Sequence, residues 1–299
     1  MICHLCKSNV HKVHKVVKKV KIYECLDCLL DFVDQVVSFK SRSDKDDTNG
    51  LYNFAAYKIK EKKLRKTFAK LTDIIVKYKK SGRVLDVGAG YGLFSSILHK
   101  KGNFLIETIE PNTDLYYLQN IPHTNNKKTL EDYLKWTNQR DRAILSKHDR
   151  SKRYDIIILM DLIEHLRNPM QSLKKLRELL TYDGILVIQT PNYMSLMARI
   201  CRDWAWWMIE DHKFFFTVKS LQKILNKTRF KTEYFLTYED WYDFKKNLDG
   251  NFAGIKNNYL RKLTKGIFFI FFAPFYYMFR QVIWGLGYGG LMFVIAKKK

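Results

Sequence analysis

The chain has 299 residues, 46% of them hydrophobic, and its 53 Lys and Arg residues against 30 Asp and Glu residues give a formal net charge of +23. This apolar content excludes a chain that is disordered throughout, and the length fits one main domain with a small additional module. The charge favours an anionic partner, such as nucleic acid, an anionic membrane surface or a phosphorylated substrate. A generally lysine-rich composition would give the same excess, because the lysines are spread along the chain.

Residues 1–37 carry four of the five cysteines in two Cys-x-x-Cys pairs separated by eighteen residues. The four are Cys3, Cys6, Cys25 and Cys28. Thiolates at this spacing can surround Zn²⁺ tetrahedrally, and four protein ligands leave no coordination position open, as in a structural site. Between the pairs, apolar and basic residues alternate over 10–23, which predicts a β-hairpin. We therefore predict a structural zinc module over 1–37, followed by a polar linker over 38–50.

The remainder of the chain shows alternating helix and strand patterns. A long helix is predicted over 51–80, where apolar residues recur at spacings of three, four and seven. Further helices are predicted at 93–101, 115–119, 129–136, 169–180 and 220–227. Strands are predicted at 83–87, 104–110, 154–160, 184–189, 230–237 and 289–296. Repeated strand–helix units of this length predict an α/β fold with a mainly parallel sheet and helices on both faces.

A glycine-rich turn follows the first strand, in the segment Val84–Gly92. Glycines let a ligand approach the backbone closely, and the start of the next helix presents free N–H groups to that ligand. Glu110 follows the next strand, where a carboxylate can accept hydrogen bonds from ribose hydroxyls. The pattern is not the Gly-x-Gly-x-x-Gly of a dinucleotide site, because Leu93 or Ser95 stands where the last glycine is required.

With Asp86 ahead of alternating glycines, this turn resembles the first motif of the class I S-adenosylmethionine (SAM)-dependent methyltransferases. The resemblance implies a Rossmann-like, mainly parallel, seven-stranded sheet within a methyltransferase domain over 51–299. It also implies that Asp86 lies near the methionine amino group of the cofactor and that Glu110 holds the ribose. The complete set of cofactor-binding residues implied is Asp86, Gly88, Ala89, Gly90, Gly92, Glu110 and Asp161.

A second polar group follows the strand predicted at 154–160. Asp161, Glu164 and His165 are at positions i, i+3 and i+4, and would share one face if the turn were helical. Two carboxylates and an imidazole at a ligand crevice are poor core residues. They are suited to proton transfer or to metal binding. Alternatively, Glu164 and His165 brace the start of the following helix.

The segment Asp161–Leu166 resembles the Asp-x-x-Glu-His-Leu segment of a broad methyltransferase group that includes sugar, quinone-precursor and other O- or C-methylating enzymes. His212 stands at the position of the group's second histidine, which precedes a helix covering the substrate pocket. Some relatives, such as small-RNA 2′-O-methyltransferases and ubiquinone-pathway O-methyltransferases, resemble this pattern. They bind a divalent ion with an acid-x-x-Glu-His segment and a later histidine. The resemblance thus implies that Asp161, Glu164, His165 and His212 are catalytic, either by acid–base chemistry or around a second divalent metal. Here Asp161 replaces the commoner Glu, and its reach is one methylene shorter.

The N-terminal cysteine pattern resembles a zinc ribbon, which several methyltransferases of this group carry. Ahead of the last strand, residues 239–288 are expected to form a helical, aromatic insertion. Within it, Gly266–Phe279 is uncharged, contains Pro274 and, at fourteen residues, is too short to span a bilayer. It would lie flat on a membrane surface, or be buried against the sheet or in a dimer interface.

These features predict an enzyme that transfers a methyl group from SAM to a small-molecule acceptor, such as a sugar, glycan or lipid-linked intermediate. A nucleic-acid methyltransferase is the alternative that the net charge motivates, and a non-catalytic, membrane-peripheral binding protein on the same fold is a third. The first twenty residues are basic and lack the apolar segment of a signal peptide. We therefore expect a cytoplasmic, or peripherally membrane-bound, protein, in which cysteine pairs bind metal more often than they form disulfides.

Overall fold

A computed structural model of the protein describes residues 2–3, 6–17, 20–33, 54–111, 114–136, 153–201, 204–209, 211–239, 247–248, 251–252 and 254–299. The linker predicted over 38–50 lies outside these residues.

The cysteine segment forms a small antiparallel sheet of β1 (His11–Val17), β2 (Val20–Cys25) and β3 (Asp31–Val33). The predicted hairpin is confirmed, because β1 and β2 pair along their length. A short strand from a distant part of the chain, β9 (Phe214–Phe215), adds to this sheet by pairing with β3. Backbone hydrogen bonds therefore join the cysteine segment to the main domain.

Seven strands form the main sheet: β4 (Ser81–Val87), β5 (Asn103–Ile109), β6 (His123–Asn126), β7 (Tyr154–Met160), β8 (Leu180–Pro191), β10 (Phe230–Tyr238) and β11 (Leu291–Lys298). Their spatial order is β10-β11-β8-β7-β4-β5-β6. Within the described residues, β11 runs antiparallel to both of its neighbours, β10 and β8, and the other strand pairs of this sheet are parallel. The predicted Rossmann-like, mainly parallel sheet is confirmed. Strand β6 was not predicted, because its sequence His-Thr-Asn-Asn has no apolar alternation.

The helices are α1 (Phe54–Tyr78), α2 (Leu93–His99), α3 (130–136), α4 (Pro169–Leu179), α5 (Leu196–Ile200), α6 (Val218–Lys227) and α7 (Asn258–Gly285). Local sequence fixes several of their starts. The Asn168 side chain accepts a hydrogen bond from the backbone N–H of Gln171, and Pro169 occupies the first turn of α4. Thr217 and Ser220 form a reciprocal capping box at the start of α6.

Alternating side chains of the main sheet supply two cores. Leu85 and Val87 of β4 belong to one buried cluster, together with Leu173 of α4 and Leu221 of α6. Val84, their neighbour on the same strand, belongs to the cluster on the other face, which α1 and α2 cover. This alternation follows from the two-residue period of a strand, and it leaves both faces of the sheet buried beneath helices.

The expected helical insertion over 239–288 contains one long apolar helix, α7. α7 runs for 28 residues and continues through Pro274 and past the charged residues on either side of the apolar segment. The fourteen-residue segment that was expected to be too short to cross a bilayer is therefore part of a longer helix. Among the described residues, α7 is the one helix long and apolar enough to do so by length and composition, with a mean hydropathy of 1.4 and 6% of that window buried.

The position of the ligand crevice follows from the strand order. Strand β4 pairs with β5 on one side and with β7 on the other. The connections that follow β4 and β7 thus leave the sheet in opposite directions, and a crevice opens outside the carboxyl ends of these two strands.

Candidate active site

The glycine turn after β4 forms one wall of this crevice. Gly90 has a φ of 55°, and a Cβ added to it would meet no heavy atom within 4 Å among the described residues. Gly92 has a φ of 80°, and a Cβ there would lie 2.7 Å from Cγ of Leu118. Gly90 therefore keeps the backbone open towards the crevice, whereas Gly92 permits close packing at the start of α2.

Glu110 lies beside this turn, directly after β5. Its side chain is buried, and Oε2 accepts a hydrogen bond of 2.9 Å from the backbone N–H of Gly90. The predicted ribose-binding carboxylate and the glycine turn are thus in direct contact. The carboxylate is placed where it could accept hydrogen bonds from a nucleoside in the crevice.

Asp86 provides a second buried carboxylate. Its Oδ2 accepts a hydrogen bond of 2.6 Å from Oγ of Ser95, while Oδ1 is buried without a hydrogen-bond partner in the described part of the chain. Burial raises the pKa of Asp86 to about 7, and the charge of Glu110 contributes. Two carboxylates this close in a buried place fit a positively charged ligand.

A pocket of about 430 Å³ lies against the glycine turn and Glu110, and its volume is within the range of small-molecule sites. Gly88, Gly90 and Glu110 line one side of it. Asp161 and His165 line another part, so the pocket joins the two regions that the sequence singles out.

The backbone separates Asp161 from the other predicted catalytic residues. Asp161 directly follows β7 in a left-handed conformation with a φ of 51°, and a short 3₁₀ turn then spans Ile163–His165. The Asp161 Oδ2 atom accepts a hydrogen bond of 3.0 Å from Nε2 of Gln189. The expectation that Asp161, Glu164 and His165 share one helical face is therefore wrong, because the helix starts only after Asp161.

Glu164, His165 and His212 do come together. One ligand atom from each lies within 4.8 Å of the other two, and the two imidazole rings meet edge to face with centroids 4.7 Å apart. Asp161 is not part of this cluster. The group of two histidines and one carboxylate is hereafter called the His-Glu triad.

Glu164 is fully buried at the centre of the triad. Its Oε2 accepts a hydrogen bond of 2.9 Å from Oγ1 of Thr190, and its Oε1 has no hydrogen-bond partner within the described residues. Burial raises the pKa of Glu164 well above its usual range, and the charge of Asp161 adds to this. An unpartnered, buried carboxylate oxygen beside two imidazoles fits a cation better than it fits an apolar core.

Hydrogen bonds orient both imidazole rings. Nδ1 of His165 donates to the backbone oxygen of Asp211 at 3.2 Å. The Tyr193 hydroxyl donates to the backbone oxygen of Trp206 at 2.9 Å, so it accepts from Nδ1 of His212, which lies 2.5 Å away. With Nδ1 protonated in both rings, the Nε2 atoms of the neutral imidazoles carry lone pairs.

Burial also keeps these imidazoles neutral. It lowers the pKa of His212 to about 3, with a contribution from His165, and it lowers the pKa of His165 as well. Neutral imidazole is the form that binds a metal. The three side chains could therefore hold a divalent ion with positions left open, as in other sites built from two histidines and one carboxylate.

The four N-terminal cysteines form a second cluster, with one sulfur of each within 4.8 Å of the others. The Sγ atoms of Cys3 and Cys28 are 3.6 Å apart, and those of Cys6 and Cys25 are 3.4 Å apart. Tetrahedral zinc with bonds of about 2.3 Å to sulfur separates its ligand atoms by about 3.8 Å, so the cluster is close to the required size.

The two Cys-x-x-Cys turns have the same backbone design. The N–H of Lys7 donates to the oxygen of Cys3, and the N–H of Leu29 donates to the oxygen of Cys25. Lys7 and Leu29 both adopt left-handed conformations, with φ of 65° and 59°. Each turn therefore folds its two sulfurs towards the same point, as a four-cysteine metal site requires.

Sequence reasoning missed several residues that hydrogen-bond to the predicted site residues: Ser95, Gln189, Thr190 and Tyr193. Thr190 lies in the Thr-Pro-Asn segment at the end of β8, where a polar side chain after a buried strand is a usable signal. The role of Tyr193 has no comparable signal. Its partner His212 is nineteen residues away in sequence and approaches only through tertiary structure.

Comparisons with known proteins agree with this fold. The methyltransferase domain family matches residues 58–234. The ubiquinone biosynthesis O-methyltransferase of Rickettsia bellii (strain OSU 85-389) is 26% identical over 193 residues, which span 59% of this chain and 76% of the relative. The enzyme of the same description from Pasteurella multocida (strain Pm70) is 25% identical over 116 residues, or 37% of this chain and 46% of the relative.

Two solved structures of SAM-dependent methyltransferases are similar in fold. The one from Archaeoglobus fulgidus has a TM-score of 0.51 and 21% identity, and the alignment covers 81% of this chain and 99% of that one. The one from Thermotoga maritima also has a TM-score of 0.51, with 14% identity and coverage of 83% and 96%. Because the family match extends over more than half of the sequence, the chain belongs to the methyltransferase domain family and is a SAM-dependent methyltransferase.

Proposed function

We propose that this enzyme methylates an oxygen atom of an anionic small molecule, with a divalent ion held by the His-Glu triad beside the cofactor. The observation that carries the proposal is the buried Oε1 atom of Glu164, which has no hydrogen-bond partner within the described residues. It lies in a cluster with His165 and His212, next to a pocket that Gly90 and Glu110 also line.

SAM would occupy the end of the pocket near the glycine turn. Glu110 would accept hydrogen bonds from the ribose, and the open backbone at Gly90 leaves room for the ligand. The Oδ1 atom of Asp86 is buried and unpartnered among the described residues, and would face the positively charged methionine end. Binding a cation there would relieve the repulsion between Asp86 and Glu110.

The triad supports a metal site better than general-base catalysis by histidine. With a pKa of about 3, His212 is a weak base at neutral pH. A bound divalent ion would supply Lewis-acid polarisation of an acceptor hydroxyl. Tyr193 and the backbone oxygen of Asp211 would keep the imidazoles in position. The remaining task of the chain is to align the acceptor with the methyl group and to exclude water.

Three cationic side chains line the pocket beside His165, namely Lys128, Arg167 and Lys213. The carboxylates of Glu110, Glu131 and Asp161 line it as well. Burial lowers the pKa of Lys213, and the charge of Arg167 adds to this, so an anionic group would stabilise the two cations. A phosphate-bearing sugar, glycan or lipid-linked intermediate has this chemistry. Transfer to oxygen is also the activity named for the Rickettsia bellii relative.

The cysteine cluster would hold one structural zinc ion, bound by Cys3, Cys6, Cys25 and Cys28. Four thiolates complete a tetrahedral site, so this ion would stabilise the small sheet without taking part in methyl transfer.

Methyl transfer from isotopically labelled SAM tests the acceptor class. We would incubate the purified chain with sugar phosphates, polyprenyl-phosphate-linked sugars, phenolic quinone precursors and RNA, with added Mn²⁺ or with EDTA. The proposal predicts labelling of a phosphorylated small molecule, its loss in EDTA and its recovery with Mn²⁺. It also predicts that His212→Ala abolishes transfer and retains SAM binding, whereas the control His123→Ala, on β6, retains both.

RNA shares the phosphate chemistry and is the alternative acceptor. Labelling of RNA with none of the small molecules would contradict the proposed acceptor. Transfer that survives both EDTA and His212→Ala would contradict the proposed metal site.

A further inference from the structure

Helix α7 is apolar both where it packs on the protein and where it is exposed. Its inner side packs onto the body of the protein through Phe268, Phe272, Tyr276 and Ile283, which join a cluster with buried Trp207. These contacts account for one face of the helix. A helix of a water-soluble surface ordinarily carries polar residues on the opposite face.

The exposed face is apolar as well. Its exposed side chains are spaced by three or four residues along the helix and form the outer stripe: Leu260, Leu263, Ile267, Phe271, Phe275, Met278 and Val282. Their exposed fractions lie between 47% and 75%. A continuous apolar stripe of this length marks a surface that contacts another apolar phase or another protein.

The charges around α7 indicate which partner fits. From residue 250 to residue 299 the sequence contains eight Lys and Arg residues and no Asp or Glu. Arg261 and Lys262 are exposed in the first turns of the helix, directly before the most apolar part of the stripe. Exposed cations beside a row of aromatic and aliphatic side chains complement an anionic lipid surface, where each contributes about 1 kcal/mol of attraction.

The anchoring of both ends of α7 excludes a helix that crosses the bilayer. Before the helix, Asn247 accepts a hydrogen bond from the N–H of Ala205, and Asn251 donates to the backbone oxygen of Ile200. After the helix, Asn192 donates to the backbone oxygen of Gly287. If α7 spanned the membrane, the chain joining one of its ends to these anchors would have to run through hydrocarbon with unsatisfied backbone groups.

We propose that the outer stripe of α7 binds the surface of an anionic lipid bilayer, with the helix lying in the plane of the membrane interface. The inner face stays packed on the protein, and the outer face enters the boundary between headgroups and acyl chains. This assignment is independent of the acceptor and of the metal proposed above.

Sedimentation with phospholipid vesicles tests this surface. We would use the full chain with phosphatidylcholine vesicles, prepared with or without phosphatidylglycerol, and compare it with the triple variant Ile267→Ser, Phe271→Ser, Phe275→Ser. The wild-type chain should pellet with the anionic vesicles, and the triple variant should bind them at least about tenfold more weakly, because three apolar side chains no longer enter the membrane. The double variant Arg261→Gln, Lys262→Gln should show weaker binding only with the vesicles that contain phosphatidylglycerol.

Tyr182→Ser is the matched control, because this residue is 89% exposed and lies on β8, far along the chain from α7. It should bind vesicles like the wild type. Unchanged SAM binding and melting temperature in the triple variant would show that its fold is intact. Equal vesicle binding by the triple variant and the wild type would overturn the proposal. So would a wild-type chain that ignores vesicles and forms a dimer that the triple variant disrupts.

Discussion

Phe32 of the cysteine segment lies opposite Phe214 in the β3–β9 strand pair, two residues along the chain from His212. Lys213 lies between His212 and Phe214 in the sequence, and its N–H donates a hydrogen bond of 3.0 Å to the backbone oxygen of Glu164. Backbone hydrogen bonds thus join β3, which follows the cysteine cluster, to β9. The residue just before β9, Lys213, is in turn joined to Glu164 of the His-Glu triad. The fold of the small sheet therefore bears on the geometry of the active site.

Loss of one zinc ligand should consequently lower the stability of the chain. We expect the wild type to contain one zinc ion per chain and Cys28→Ser to lose it. The variant should melt at a lower temperature, because a zinc site contributes directly to folding. Zinc content, measured by elemental analysis, and the melting temperature check this prediction.

Cys201→Ser is the control for this variant, since Cys201 is a buried cysteine outside the cluster. It should keep the zinc. If Cys28→Ser retained full zinc content and the wild-type melting temperature, the cysteines would not form the expected centre.

Glu110 should contribute to SAM affinity through its charge. In Glu110→Gln, the side chain keeps its shape but loses charge-assisted hydrogen bonds to the ribose, which are worth about 1.5–3 kcal/mol. We expect SAM to bind about 10- to 100-fold more weakly, as measured by calorimetric titration. Glu233→Gln, on β10, is the control and should bind SAM normally. Wild-type affinity in Glu110→Gln would show that Glu110 does not hold the cofactor.

Tyr193 should act as a positioning residue for His212. Tyr193→Phe removes the hydroxyl that accepts from Nδ1 of the imidazole. Such supporting contacts typically account for about 10- to 100-fold in metal affinity. We expect weaker Mn²⁺ binding by that factor, with SAM affinity unchanged, because the tyrosine is absent from the cofactor pocket lining.

A purely structural role for Tyr193 would lower stability and leave metal affinity as it is. Tyr133→Phe separates the two outcomes, because Tyr133 is a buried tyrosine whose hydroxyl bonds to Tyr154, away from the triad. It should lower stability alone. Equal Mn²⁺ affinities in the two variants would contradict the positioning role.

The sequence predicted the parts of the site that depend on local pattern. Gly90 and Glu110 follow neighbouring buried strands, and the carboxyl ends of parallel strands meet at one edge of the sheet. The place of Asp161 could not be predicted in the same way. The left-handed conformation of this residue is not evident from its side chain, and it turns Asp161 away from the face that helical spacing would have given it.

Long-range contacts and the bounds of α7 could not be predicted from the sequence either. Tyr193 reaches His212 only because the chain folds back between them. The fourteen-residue uncharged segment is part of a helix of 28 residues, although Pro274 lies within it. A proline lacks one backbone donor, yet the helix continues when its other hydrogen bonds and its packed inner face are retained.

Titration of the zinc-loaded, S-adenosylhomocysteine-bound chain with Mn²⁺, followed by electron paramagnetic resonance, examines the His-Glu triad most directly. The variant Glu164→Gln keeps the size of the side chain and one oxygen that can accept from Thr190. It replaces the other carboxylate oxygen by an NH2 group, which cannot bind a metal ion. We predict that the wild type binds one Mn²⁺ per chain and that Glu164→Gln loses this site while retaining its zinc. Equal Mn²⁺ binding by both proteins would contradict a metal site at Glu164, His165 and His212.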